Sequence, residues 1–291
     1  MSKIFLALSL VALNAIPVFA CDINGHTGIV EENNEWIGPE QKSINSIDEA
    51  VFNKINDDIS AIYAPIFKAR GATLSVVRNW TDGTVNAYAR QLGKVWEVQM
   101  FGGLARHETI THDGFALVLC HEIGHHIGGA PKKASWYGSD WASNEGQADY
   151  WGNLKCMREY MESQDNVTIV ASMQIDPVAA ATCAAQFSDA NDIAICERSA
   201  MAGMSLANLF RALRNQTVAM RFDTPDRSIV TKTNDNHPDS QCRLDTYYAG
   251  AICTVAKEAD VSATDATVGT CNVSTGQTLG IRSTCWYKAA R

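Results

Sequence analysis

The stretch "VLCHEIGHHIGGAP", residues 118–131, places three of the chain's seven histidines within six positions. His121 and His125 are four residues apart, so on a helix they project from one face, one turn from each other. Two neutral imidazoles in that arrangement can hold a single zinc ion. Glu122, beside them, is placed to take a proton from a water that such an ion polarises. His126 lies about 100° further round the helix and reads as a packing or surface histidine.

A metal site of this kind needs a third ligand. A histidine six residues after His125 would be one solution, but Pro131 occupies that position. The segment "SNEGQADYW" offers another: Glu145, twenty residues after His125, with Asp149 one turn further on. Glu145 completes a set of two histidines and a glutamate with a fourth position open to water. Asp149, on the same helix face, can accept a hydrogen bond from the ring nitrogen of His121 that faces away from the metal, which fixes the tautomer. Acidic residues also favour the first turn of any helix, so this pair gains its weight from following the two histidines. Further along, "NHPDSQCRLD" holds His237 and, six positions later, Arg243. An isolated His-Pro is ordinarily a turn. Hydrolysis through a tetrahedral species, however, needs a donor beside the oxyanion. His237 could supply it, with Arg243 anchoring the loop or adding charge.

These residues need elements to carry them. From Ser46, apolar Ile47, Val51, Ile55, Ile59 and Ile62 recur at helical spacing, with Ser46 as the expected N-cap. The runs "ATLSVVRNW", "VNAYARQ" and "KVWEVQMF" read as strands separated by turn signals. A helix is expected from about Asp113 to Ile127, ended by Gly128-Gly129-Ala130-Pro131. A second begins near Ser143 or Asn144, and two or three more fall between 177 and 254.

The ends read differently. Residues 1–20 carry Lys3, an apolar run and a small-residue site at Ala20, the pattern of a secretory signal peptide. Cys21 follows directly, where a bacterial lipoprotein carries its acylated cysteine, so a lipid anchor at Cys21 and an untethered mature chain stand as alternatives. Residues 21–45 form a polar leader, 46–255 one domain, and 256–291 a Cys-containing tail. Setting Cys21 aside leaves eight of nine cysteines, an even number suited to disulfides after export. Close pairs such as 183/196, 242/253 and 271/285 are the plausible ones. The net charge of −8 and the lack of a dense basic run argue against nucleic acid as a partner. After the signal segment no run is apolar enough to span a membrane.

In combination, "NAYA" (86–89), "GKVWEVQMFGGL" (93–104), "HEIGH", "EGQAD" and "HPDSQCR" resemble the gluzincin metallopeptidase family 48, which includes the CaaX prenyl proteases and HtpX-type proteases. The resemblance covers roughly residues 46–255. It implies an α+β, helix-rich zincin-like domain with a small antiparallel or mixed sheet. An edge strand at about Val95–Phe101, with Val95, Glu97, Gln99 and Phe101, would line the active site and bind substrate as an added strand. It also implies one Zn2+ ion on His121, His125 and Glu145, with His237 and Arg243 at the catalytic site. The expected protein is an exported zinc endopeptidase acting on protein or peptide substrates, whether periplasmic, envelope-anchored or secreted. The rival readings are a non-catalytic exported zinc-binding module and a latent enzyme covered by the 130–143 loop or the tail. Many relatives carry membrane helices and few need eight cysteines, so this chain departs from the family in both respects.

Overall fold

The computed structural model describes residues 28–41, 45–133 and 141–289; the signal segment and Cys21 lie outside them. Helix α1 (Glu49–Ala69) is capped by Asp48, whose carboxylate accepts from the Val51 amide. Ser46, the expected cap, instead takes a positive φ of 60° two residues earlier. One face of α1 buries Phe52, Ile55, Ile59, Tyr63 and Phe67, the spacing of a single apolar stripe.

Three strands follow, β1 (Thr73–Asn79), β2 (Ala87–Leu92) and β3 (Val95–Phe101), in the spatial order β1-β3-β2. Leu92 pairs with Val95 across a two-residue turn whose first residue, Gly93, has φ 61°, a conformation glycine adopts without strain. β3 runs antiparallel to β2 and parallel to β1. The mixed sheet agrees with the expected α+β class. Strand Val95–Phe101, however, is not an edge. It is the central strand, because β1 closes on the side opposite β2. Val95, Glu97 and Gln99 therefore have register partners in both β1 and β2, and Phe101 has one in β1. β2 is the edge strand that touches the central helix.

Short helix α2 (Gly102–Arg106) leads to α3 (His112–Ile127), capped by Thr111. Every residue of α3 from Asp113 to Ile127 is buried, so it forms the axis of the core, between α1, the sheet and the later helices. After α3 the chain turns at Gly129, where φ is 81° and a Cβ would stand 2.8 Å from the Ser262 carbonyl oxygen. Lys132 then pairs with Ser143 in an antiparallel bridge, which returns the chain to α4 (Glu145–Trp151), capped by Asn144. A π-helical turn at Gly152–Cys156 passes into α5 (Met157–Met161). Helices α6 (Asn166–Ala171), α7 (Pro177–Gln186), α8 (Ala190–Leu213) and α9 (Ser240–Ile252) complete the fold.

Four disulfides tie these elements: Cys120–Cys156, Cys183–Cys196, Cys242–Cys285 and Cys253–Cys271. The 183/196 pairing matches the expectation. The 242/253 and 271/285 pairings do not, because both ends of α9 are bridged to the tail rather than to each other or within it. Four disulfides belong to an oxidising compartment. No helix among the described residues is long and apolar enough to cross a membrane. The tail is largely irregular, yet it is part of the core. Trp286 is fully buried against Gly146 of α4, where a Cβ would come within 2.2 Å of the indole. The leader is also integral: Ile29 and Val30 are buried, and the Ile29 amide donates to the Ala87 carbonyl of β2.

Candidate metal centre

Helices α3 and α4 converge so that one nitrogen of His121, one of His125 and one oxygen of Glu145 all lie within 4.8 Å of one another. Glu145 Oε2 is 3.4 Å from His121 Nε2 and 3.7 Å from His125 Nε2. These separations exceed the usual N–H···O range of 2.7–3.2 Å. Two ligand atoms each about 2.0–2.1 Å from a tetrahedral zinc stand roughly 3.3–3.4 Å apart, so the spacing suits a shared ion. All three side chains are fully buried.

The outward nitrogens of both imidazoles are held. His121 Nδ1 is 2.7 Å from Asp149 Oδ1, and His125 Nδ1 is 2.8 Å from the Ser143 carbonyl. His125 Nδ1 donates to that carbonyl and His121 Nδ1 has a carboxylate beside it, so in each ring Nε2 is the nitrogen that faces Glu145. Asp149 is itself gripped by Arg243, Nε to Oδ2 at 2.8 Å and Nη2 to Oδ1 at 2.7 Å. Arg243 also donates to the Ile29 carbonyl and the Tyr247 hydroxyl, and lies 3.9 Å over the Phe210 ring. With its donors so committed, Arg243 does not reach an oxyanion position. What its contacts brace is Asp149, the neighbour of His121, a role distinct from the expected anchoring of the loop.

Glu122 is fully buried, and among the described residues neither of its carboxylate oxygens has a hydrogen-bond partner. A buried carboxylate without a partner is costly, so this pair of oxygens points to a group or water that belongs there. Burial pushes Glu122 up to about 8, opposed by His121 and reinforced by Glu145. Burial works against the charge of Asp149, but Arg243 and His121 outweigh it and bring the carboxyl down to about 2. Glu145 likewise lies well below the usual range despite burial, because His237, His125, His121 and Lys133 surround it. The two imidazoles diverge. Burial takes His125 down to about 3, whereas at His121 the Asp149 carboxylate overrides burial and raises it to about 9.

His237 does join the cluster, with Nε2 3.4 Å from Glu145 Oε2 and 2.8 Å from the Gly28 carbonyl, to which it donates. His126 stays outside. It lies between Trp96 and Trp141 with ring centroids at 5.6 and 4.9 Å, in the packing role expected of it. Lys133 was not anticipated from sequence. Its ammonium is 3.6 Å from Glu145 Oε1, the oxygen turned away from the imidazoles. A lysine in an irregular loop carries no periodic signal. The nearest clue was its place two residues beyond Pro131. The carbonyls of Gly28 and Ile29 were missed for a similar reason, since backbone acceptors leave no mark in side-chain pattern.

The donor set, two imidazole nitrogens and one carboxylate oxygen backed by an oriented carboxylate, could hold a divalent metal and suits zinc. No protein-family model, curated protein or solved structure matches the chain.

Proposed function

We propose that the protein is an exported zinc-dependent endopeptidase of the gluzincin type. The observation that carries the proposal is the buried convergence of His121, His125 and Glu145 beside the unpartnered carboxylate of Glu122. His121, His125 and Glu145 would hold the ion. When bound, zinc supplies Lewis acidity that polarises a carbonyl and acidifies water.

The remaining work falls to the chain's own groups. Glu122 accepts a proton from the attacking water and returns it to the departing amine, its carboxylate having no other partner among the described residues. Asp149, clamped by Arg243, holds His121 in the tautomer that presents Nε2. Lys133 draws on Glu145 Oε1, so Oε2 is the oxygen that faces the imidazoles and would hold the ion with them. His237 lies at the margin of the cluster with Nε2–H donating to the Gly28 carbonyl, and would serve as the donor for developing negative charge by turning that proton from the carbonyl to the substrate. An extended peptide would lie along the outer side of β2 beyond Ala87, whose carbonyl the Ile29 amide of the leader already takes.

A purely structural zinc site would be closed by four ligands and would have no use for a buried carboxylate without a partner. The disulfides suit the periplasm, the outside of the cell or an envelope anchor, all oxidising settings.

Metal analysis of the purified mature chain, paired with cleavage of an unfolded test protein with and without chelator, tests the reading. The expectation is close to one zinc per chain and chelator-sensitive cleavage. Glu122→Gln should keep the metal and lose hydrolysis. A chain that binds no zinc, or a Glu122→Gln variant as active as the parent, would overturn it.

A further inference from the structure

The C-terminal tail borders a cavity of about 1120 Å³, above the roughly 300–1,000 Å³ typical of sites for drug-sized ligands. Its walls combine apolar Pro131, Ile281 and Tyr287 with three cations, Lys132, Arg282 and Lys288. The acid in its lining, Asp265, is turned to a local task, accepting from the amide and hydroxyl of Thr267.

Arg282 is the unusual member. It is 5% exposed, and its bonds all go to neutral acceptors: Gln147 Oε1 at 2.7 Å, Thr270 Oγ1 at 3.3 Å and the Ala130 carbonyl at 3.4 Å. The rings of Tyr150 and Tyr287 lie 5.0 and 5.1 Å from its guanidinium carbon. Among the described residues no carboxylate supports its charge, and burial lowers its pKa with only Tyr150 and Tyr287 opposing. Two comparably buried arginines differ: Arg243 grips Asp149 and Arg198 grips Asp113. Arg106, held by backbone carbonyls, still has Glu40 and Asp82 near enough to support its charge. A guanidinium has five N–H donors, so three bonds leave capacity for a further acceptor. A buried cation without a counter-charge is costly, and a planar fork beside an apolar chamber suits a carboxylate.

We infer that the tail cavity is a binding site for an organic carboxylate with an apolar body, its carboxylate on Arg282 and flanked by Lys132 and Lys288. The site is separate from the metal cluster, and the inference does not depend on peptidase activity. Two sources offer the same chemistry: a free alkyl carboxylate, or the C-terminal residues of a peptide ending in apolar side chains.

Calorimetric titration of the full mature chain would use four probes: octanoate, octanol, and one apolar-ended hexapeptide as the free acid and as the C-terminal amide. At least one acid should bind with Kd below ~1 mM, and its neutral counterpart at least about tenfold more weakly. Arg282→Met should weaken the acid by a similar factor. Should that variant fail to fold, Lys288→Glu on the rim serves instead, with a smaller loss expected. Binding by octanoate alone assigns the free alkyl source, and binding by the peptide acid alone assigns the peptide terminus. No binding by either acid, equal binding of acid and neutral forms, or unchanged affinity in a folded Arg282→Met variant would each overturn the inference.

Discussion

Helix α4 is served by two regions that treat it in opposite ways. Towards α3 it presents Glu145 and Asp149, and both of these carboxylates are answered: Asp149 by Arg243 and His121, Glu145 by the imidazoles and Lys133. Towards the tail it presents Gly146 beneath Trp286, Gln147 bonded to Arg282, and Tyr150 donating to the Gly280 carbonyl. That side is neutral except for Arg282. The cluster towards α3 is held by electrostatics within helices. The tail, which lacks regular structure, is held by disulfides to α9. A buried ion network is stable only when complete, whereas a cross-linked irregular segment can leave one charge unmatched.

The largest effect should come from Glu122→Gln, with a loss of about 10²–10⁴-fold in peptide hydrolysis at unchanged zinc content. If zinc is lost as well, Glu122 belongs to the holding of the metal rather than to proton transfer. Next, Arg243→Met strands the buried Asp149 carboxylate and should cost about 3–5 kcal/mol in urea unfolding. Arg282→Met leaves only neutral acceptors unbonded and should cost less, about 1–3 kcal/mol. Equal costs would erase the distinction between the two sides of α4.

Removing Cys120–Cys156 by a double alanine replacement should cost about 2–5 kcal/mol. It should exceed removal of Cys183–Cys196 by about 1 kcal/mol, because the separations closed are 36 and 13 residues. Asp149→Asn, a gentler change than losing Arg243, should weaken metal affinity about 10–100-fold, read by competition with a chromogenic chelator. An affinity that stays put would show that His121 does not need its carboxylate partner.

The local parts of this arrangement were legible in the sequence. His121, Glu122 and His125 announce themselves because a helix repeats every 3.6 residues, and Glu145 with Asp149 by the same rule. Non-local features were not. The strand that seemed to be an edge lies in the middle, since nothing within Val95–Phe101 encodes which neighbours close on it. Cysteine proximity in sequence predicted one disulfide, Cys183–Cys196, where helices α7 and α8 form a hairpin. It failed where α9 ties to the tail. Arg243 was expected to anchor its loop or add charge; that it grips Asp149 instead depends on packing that only the folded chain displays.

The leader carries one more consequence. His237 and Arg243 each rest on its carbonyls, at Gly28 and Ile29, across sequence separations of 209 and 214 residues. The cluster is thus sewn from opposite ends of the polypeptide. A nascent or prematurely terminated product that stops short of α9 contains both histidines of the helix pair and still lacks the clamp on Asp149. Partial chains should therefore lack the braced His121–Asp149 pair, and the cluster should be complete only once α9 has folded against the leader.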